Sequence, residues 1–344
     1  MKNTTIKDIA AKVGISTATV SRYINKNGYV SQKLQKRIEV AIKETDFVPN
    51  HVAISLKTKE TRIIGIVIPE LFNISFMDTV QAINDVAMGE GYQTIILNSG
   101  ENAQEEQKIL EVLISRRVDG ILIATANPDG EKIMRINNSR LPVVLLDRDA
   151  CNSDAKIAVD SVINDNFRGA YQMVQYLISL GHRRIAILAG SLNQPHLNAR
   201  LNGYLQALKD GGIPAAPDYI QKIELNYESG YQSVIRLMSM HDAVPTAIFA
   251  LSNLTSLGAV SALNDMQMHV PEDVSLCGFG EFKYHKILKP DLTVVNQHSY
   301  TLGKIAAEIL IRKIHDKGKW IPSRVVLPAD ILFRSSCAPP KGNR

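Results

Sequence analysis

The sequence is short of several things that would narrow its function at once. It holds three cysteines, Cys151, Cys277 and Cys337, odd in number and widely scattered. Neither a disulfide framework nor a zinc-ligand spacing can be read from them, and buried free thiols are the expectation. No apolar run approaches the roughly 18 residues that cross a bilayer, so a membrane-spanning helix is not expected. The first residues lead into an amphipathic segment carrying Asp8 and Lys12, unlike the uncharged core of a secretory signal, and a cytoplasmic location is expected. No Gly-x-Gly-x-x-Gly follows a strand-like run: Gly89-Glu-Gly-Tyr lies at a helix end and Gly278-Phe-Gly is a lone pair. No activated nucleophile or paired-carboxylate motif is visible either. The chain is therefore not expected to be an enzyme, and no cofactor or metal is implied.

What is present is enough chain for more than one core. At 344 residues and 45% apolar content, two or three folding units are expected. Charge is unevenly divided among them. Residues 1–62 carry nine Lys and three Arg against five Asp or Glu, a net +7, while the remainder carries 27 basic and 29 acidic residues, a net −2. The positive excess lies wholly in the first fifth of the chain, where it would attract a polyanion such as DNA.

Pattern in that basic segment is more specific than its charge. Thr5-Ile-Lys-Asp8 has capping-box spacing, and Ile6, Ile9, Ala10 and Val13 recur at helical intervals, so a first helix is predicted over about 6 to 13. Gly14 stops it, Ile15 fills the elbow, and Ser16 is placed to cap a second helix from Thr17 to Ile24. This is helix-turn-helix spacing, which sets the second helix into a major groove. Val20 and Ile24 face inward. Thr17, Ala18 and Arg22 then point outward as base readers, because a guanidinium forks onto guanine and small side chains meet thymine methyls. Thr5, Ser16, Thr19, Ser21 and Asn25 are short polar groups suited to phosphates. A third helix after Ser31 turns Leu34, Ile38, Ala41 and Ile42 inward and Lys33, Lys36 and Arg37 outward.

From Arg62 onward, continuous apolar runs alternate with helical stretches. Ile63–Ile68, Thr94–Leu97, Gly120–Ile123 and Val143–Leu146 form one series, and Ile185–Leu188, Ala247–Ala250 and Val274–Leu276 a second. Such runs are strands of parallel sheets covered on both faces. The fold class expected is α/β, with a small all-α headpiece ahead of two doubly wound parallel sheets whose strand ends face a cleft.

The run from Thr5 to Arg22, then Tyr29-Val-Ser31, Phe47-Val-Pro-Asn50 and the segment Pro49-Asn50-x-x-Ala53-x-x-Leu56, resembles the headpiece of the lac and galactose repressor family. Gly91-Tyr92, Arg117–Gly120, Val144–Arg148, Gly181–Arg183, Arg200–Tyr204, Val270–Val274 and Leu292–Val295 resemble the periplasmic-binding-protein-like core of the same family, so the resemblance covers nearly the whole chain. It implies a headpiece at 1–48, a hinge helix and linker at 49–61, a first lobe at 62–162 with 296–324, a second lobe at 163–295 with 325–338, and a tail at 339–344. It implies further that Asn50, Ala53 and Leu56 form a hinge that orders on operator DNA, with Leu56 wedged into a minor-groove step. The alternative for that segment is an ordinary linker helix. The family usually has Arg or Gln where Ile54 stands, which puts one polar hinge contact in question. A near-palindromic operator and a homodimer are implied, since the tail carries no leucine heptads for a tetramer.

For the effector, the resemblance places Phe76, Asp147, His196, Arg200, Asn253 and Gln297 around the cleft. Phe76 fits a core position equally, Asp147 a bridge between lobes, and His196 a capping role. Regulators of neutral sugars in the family usually carry Asp where Gly280 stands, so its loss, with Arg148, His196 and Arg200 nearby, points to a sugar acid or sugar phosphate. Glu281 could supply the missing charge instead. The implied function is a carbohydrate-responsive transcriptional repressor. The rivals are a regulator taking a neutral sugar or a corepressor, and a sugar-binding protein without DNA function, which has no reason to carry a basic helix-turn-helix.

Overall fold

The computed structural model describes residues 4–24, 28–47, 60–127, 130–139, 141–149, 159–190, 194–241, 243–283, 285–287, 289–316 and 320–341. The chain divides into two compact units, Met1–Thr61 and Arg62–Arg344. The first contains α1 (Ile6–Val13), α2 (Thr17–Ile24) and α3 (Gln32–Glu44). Asp8 closes the start of α1 by accepting from the Thr5 amide at 2.8 Å and the Thr5 hydroxyl at 2.7 Å. Gly14 ends α1 at φ 71°, and Ser16 Oγ accepts from the Thr19 amide at 3.2 Å to open α2. The three helices meet in a core of Ile9, Ala10, Val13, Val20, Val30, Ile38, Ala41 and Phe47. Arg37 does more than face solvent, as the sequence suggested: its Nη2 donates to the Val13 carbonyl at 2.7 Å and caps the end of α1.

Among the described residues, the second unit is built on two sheets of six strands each. Its elements are β1 (Ile63–Ile68), α4 (Ile74–Gly89), β2 (Gln93–Asn98), α5 (Ala103–Ser115), β3 (Gly120–Ile123), α6 (Glu131–Asn138), β4 (Val143–Leu146), β5 (Asp160–Asn164), α7 (Asn166–Ser179), β6 (Ile185–Ala189), α8 (Pro195–Asp210), β7 (Ile220–Lys222), α9 (Tyr227–Met238), β8 (Ala247–Ala250), α10 (Asn253–Asp265), β9 (Ser275–Phe279), β10 (Thr293–Asn296), α11 (Ser299–His315), β11 (Arg324–Leu327) and β12 (Asp330–Leu332). The sheet orders are β11-β5-β4-β3-β1-β2 and β12-β10-β9-β8-β6-β7. All described pairings are parallel except β10 with β12. Each sheet has apolar clusters on both faces, which is why its central strands read as unbroken Ile, Val and Leu.

The chain passes between lobes three times: between β5 and α7, between β10 and α11, and between β11 and β12. Two lobe limits inferred from the sequence need correction. β5 runs to Asn164, past the limit of 162, and Arg324–Leu327 pairs with β5 in the first sheet, so residues 325–327 belong to the first lobe. The physical cause is the open edge of β5, whose backbone groups need a neighbour. At the start of β5, Asp160, fully buried, ties the strand to the α11–β11 segment of the same lobe, accepting from Lys313 Nζ at 2.8 Å, Trp320 Nε1 at 2.8 Å and the Ser323 amide at 2.9 Å. Helix α8 is fixed just as closely. A Cβ at Gly203 would strike the Phe167 carbonyl, so only glycine lets α8 lie this near α7.

Candidate functional site

In the headpiece, α2 turns Thr17, Ala18 and Arg22 fully outward, with Thr19 and Ser21 half-buried beside them and Thr5 and Ser16 exposed nearby. Val20 anchors the opposite side of the helix in the core, so the outward set is fixed by packing. Tyr23 is held against α3 by donating to Glu39 at 2.7 Å; burial first, then the carboxylate, push its phenol up to about 12, so it stays a neutral donor. Asn25 and the hinge positions Asn50, Ala53 and Leu56 lie outside the described residues.

In the second unit a cavity of about 1050 Å³ opens where the carboxyl ends of both sheets face each other. The segments after β1, β2, β3, β4, β7, β8 and β10 all reach it, β5 reaches it through its last residue Asn164, and α8 enters after β6. This is the rule for doubly wound sheets: strand ends and helix starts leave backbone and polar groups at one edge.

Asp147 and Arg148 follow β4 directly. Asp147 takes a left-handed backbone at φ 58°, a conformation Asp tolerates better than most residues. Its Oδ1 accepts from Asn164 at 3.3 Å and, more weakly, from Gln297 at 3.5 Å. Since Gln297 follows a strand of the other sheet, Asp147 both lines the cavity and bridges the lobes. Arg148 is 4% exposed and forks onto Glu101 at 2.5 and 2.7 Å, with a further bond to the Thr125 carbonyl. Its charge is thus already matched, contrary to the sequence-based picture of an unspent cation. Its Nε has no protein partner.

Arg200, also 4% exposed, donates from Nε to Asn166 at 2.8 Å and from Nη1 to the Leu251 carbonyl at 2.7 Å. Its guanidinium lies 3.7 Å from the centre of the Phe279 ring, and Nη2 takes no part in these bonds. Burial pulls Arg200 down to about 10, opposed by Asp147 and reinforced by Arg148, so it remains a cation near neutrality. His196, one turn earlier, is pushed well below its ordinary value by burial, then by Arg148 and Arg200. It is neutral, and its buried Nδ1 is unpartnered, as is Asn164 Oδ1. Three buried polar atoms of cavity-lining residues therefore have nothing from the protein to satisfy them, at about 1–3 kcal/mol each.

Phe76 both lines the cavity and joins the first-lobe core, with its ring 5.9 Å from the Arg148 guanidinium. Asn253 and Gln297 also line it, and Ser75 Oγ donates to Gln297 at 3.1 Å. Gly280 does not line it. The Asn253 amide is best satisfied with its nitrogen toward the carbonyls of Gly280 (2.9 Å) and Phe279 (3.2 Å). At φ 99°, a Cβ on Gly280 would collide with that amide and come within 2.8 Å of Gln297, so two neutral amides occupy the space an aspartate would need. Glu281 is no substitute, because its carboxylate accepts from Arg334 at 2.7 Å. The sequence reading missed Glu101, Asn164, Asn166 and Phe279. Its position just beyond the end of a strand was the available signal for Glu101; the other three required tertiary structure.

Residues 61–334 match the family model for periplasmic binding proteins and the sugar binding domain of the LacI family, and residues 5–50 that for bacterial regulatory proteins of the lacI family. Catabolite control protein A of Priestia megaterium is 33% identical over 335 residues, covering 97% of this chain and 99% of its own. The transcriptional repressor PurR of Pasteurella multocida is 32% identical over 316 residues, covering 92% and 93%. Among solved structures, a lac repressor dimer bound to operator and an anti-inducer superposes with a TM-score of 0.84 at 26% identity, covering 98% of this chain and 100% of its own. A complex of the regulator CelR with cellobiose gives 0.72 at 27%, covering 97% and 100%.

A DNA-binding headpiece ahead of a two-lobed ligand-binding core defines a transcriptional repressor controlled by a small molecule, not an enzyme. The chain belongs to the LacI family. Among the described residues no helix is long and apolar enough to cross a membrane.

Proposed function

We propose that this protein is a cytoplasmic, homodimeric repressor of carbohydrate-metabolism genes whose hold on a near-palindromic operator is set by a sugar-derived acid in the interlobe cavity. The observation that carries the reading is the set of unpartnered buried atoms, Arg148 Nε, His196 Nδ1 and Asn164 Oδ1, on residues that line the cavity together with Arg200. Such a set wants a compact ligand bearing both donors and acceptors, as a hydroxylated acid does. Arg200 would take the carboxylate with Nη2, neutral His196 and Arg148 Nε would take hydroxyls, and Phe76 would cover the carbon skeleton. Four carboxylates, Glu70, Glu101, Asp147 and Glu224, also line the cavity against two arginines. That balance favours a monoanionic sugar acid over a sugar phosphate, and it also supports a second reading in which the ligand is a neutral sugar. Calorimetric titration with gluconate-type acids, sugar phosphates and neutral hexoses separates them: exclusive binding of neutral hexoses would end the acid reading.

On the DNA side, Thr17, Ala18 and Arg22 read bases, Thr5, Ser16, Thr19, Ser21 and Asn25 hold phosphates, and Asn50, Ala53 and Leu56 form the hinge that enters the minor groove. The switch is a two-state linkage in which the effector binds the DNA-competent and DNA-released forms with different affinity, since equal affinity would shift nothing.

A further inference from the structure

Cys277 and Cys337 lie far apart in the sequence and together in the fold. Cys277 stands on β9, fully buried in the second-lobe core. The C-terminal segment returns beside it and is tied down on either side of Cys337. The Leu276 amide donates to the Ser336 carbonyl at 3.0 Å, the Ser336 hydroxyl donates to the Leu276 carbonyl at 2.5 Å, and the Ala338 amide donates to the Ser275 hydroxyl at 3.0 Å. Held this way, Cys337 packs on the cluster containing Cys277 while remaining partly exposed. Both side chains therefore sit in the same apolar cluster, on neighbouring hydrogen-bonded segments, with Cys337 Sγ 3.6 Å from the Leu276 carbonyl and Cys277 Sγ 3.7 Å from the Ile248 carbonyl.

The two thiols differ in character. The neighbouring Cys277 thiol, working against burial and helped by Ser336 and Thr293, holds Cys337 below its ordinary value. Burial first, then Cys337, holds Cys277 well above its own. A partly exposed, more acidic thiol against a buried neutral one is the arrangement of an attacking and a resolving cysteine.

We propose that Cys277 and Cys337 are a dithiol oxidation site, in which Cys337 reacts with a peroxide and Cys277 resolves it to an intramolecular disulfide that staples the C-terminal segment to β9. The Cys337 thiolate attacks the O–O bond of hydrogen peroxide; an S–O bond forms as O–O breaks, and the departing hydroxide takes up the thiol proton as water. Cys277 sulfur then attacks Cys337 Sγ, S–S forms as S–O breaks, and the second hydroxide leaves as water with the Cys277 proton. Two thiols lose two hydrogens and two electrons, and one peroxide becomes two waters. Cys277 and Phe279 are two positions apart on β9 and share its inner face, so the bond forms on the strand whose ring supports Arg200.

The test uses the full chain carrying Cys151→Ser, reduced, desalted and treated with excess hydrogen peroxide, then mapped by mass spectrometry without reduction. The expected result is joint loss of both thiols, a cross-linked peptide pair containing Cys277 and Cys337, a mass lower by two hydrogens, and full reversal by dithiothreitol. In Cys277→Ala, Cys337 should advance to sulfinic or sulfonic acid. In Cys337→Ser, Cys277 should stay unmodified over the same period. Survival of both thiols, over-oxidation of Cys337 while Cys277 remains free, or disulfides formed only between chains would overturn the proposal, and the cross-link in the intact pair decides it even if a variant fails to fold.

Discussion

The Arg200 guanidinium rests on the face of the Phe279 ring, 3.7 Å from its centre, with Nε and Nη1 fixed by Asn166 and the Leu251 carbonyl. The stack and the two bonds come from three different elements of the second lobe, so they hold the fork in one orientation before any ligand arrives. Pre-organisation of this kind lowers the ordering cost of binding. It also shows why lysine cannot stand in: an ammonium keeps the charge and loses the plane and the second donor pair.

Arg200→Lys should therefore weaken effector binding by about 2–3 kcal/mol, the scale of a charged hydrogen bond lost with its geometry. Calorimetry reads the affinity. Operator affinity without effector should stay within about threefold of wild type, because the substitution lies in the separate, second unit.

Arg22 is exposed on α2, with its aliphatic stem 3.5 Å from where a Cβ on Gly28 would lie. Arg22→Ala should cost about 1–3 kcal/mol and relax base preference at one position of each half-site, while leaving the salt slope nearly intact. Competition binding to an operator library measures both quantities. A uniform loss over all sequences would instead mark Arg22 as a phosphate contact.

Leu56→Ala tests the hinge assignment, which rests on sequence resemblance alone. Specific operator binding and DNA bending should fall together while non-specific affinity is unchanged. Circular-permutation gel shifts report the bend, and an unaltered bend angle would remove Leu56 from the minor groove.

His196 gives a pH dependence with a definite sign. Its folded value is depressed well below 6.5, first by burial and then by Arg148 and Arg200, so the unfolded chain binds more protons as the pH falls below 6.5. Stability present above that pH is lost on acidification. His196→Asn should remove about 1 kcal/mol of that loss between pH 7 and 5.5, at roughly 1.4 kcal/mol per unit. Denaturant midpoints at the two pH values in both proteins give the difference, and equal losses would place a charged, solvated imidazole at this position.

Asp160 predicts how strongly β5 is tied to the α11–β11 segment of the first lobe. Burial alone would raise this carboxyl, yet bonds from Lys313, Trp320 and Ser323 bring it below its ordinary value. Asp160→Asn leaves Lys313, its side chain 10% exposed, without a counter-charge and should cost about 3–5 kcal/mol. Denaturant unfolding followed by the Trp320 indole, which donates to Asp160 at 2.8 Å, reads the loss where it occurs.

How much of this was legible in sequence depended on whether the signal was local. Capping at Thr5 and Asp8, the stop at Gly14 and the inward set on α1 to α3 are short-range patterns, and they were readable. So were the unbroken apolar strands at Ile63–Ile68 and Ala247–Ala250. β5 was not, because Asp160 and Asn164 give it the look of a loop until Lys313 and Trp320 arrive from far along the chain. β11 was hidden for a related reason: an edge strand with alternating exposure has a weak apolar signal. At the cleft, resemblance pointed to six residues that do line the cavity, but it could not show that Glu101 matches Arg148. Nor could it show that Asn253 and Gln297 fill the space beside Gly280, since that depends on side chains from three separate segments.

The most direct test is operator affinity measured by fluorescence anisotropy on a duplex selected from genomic DNA, with and without the ligand that calorimetry identifies, in wild type and Arg200→Lys. A ligand-dependent change of at least about tenfold in wild type, or about 1.4 kcal/mol, and little or none in the variant at the same ligand concentration, is the predicted result. Identical operator affinity in wild type with and without a ligand bound in the cavity would contradict the account.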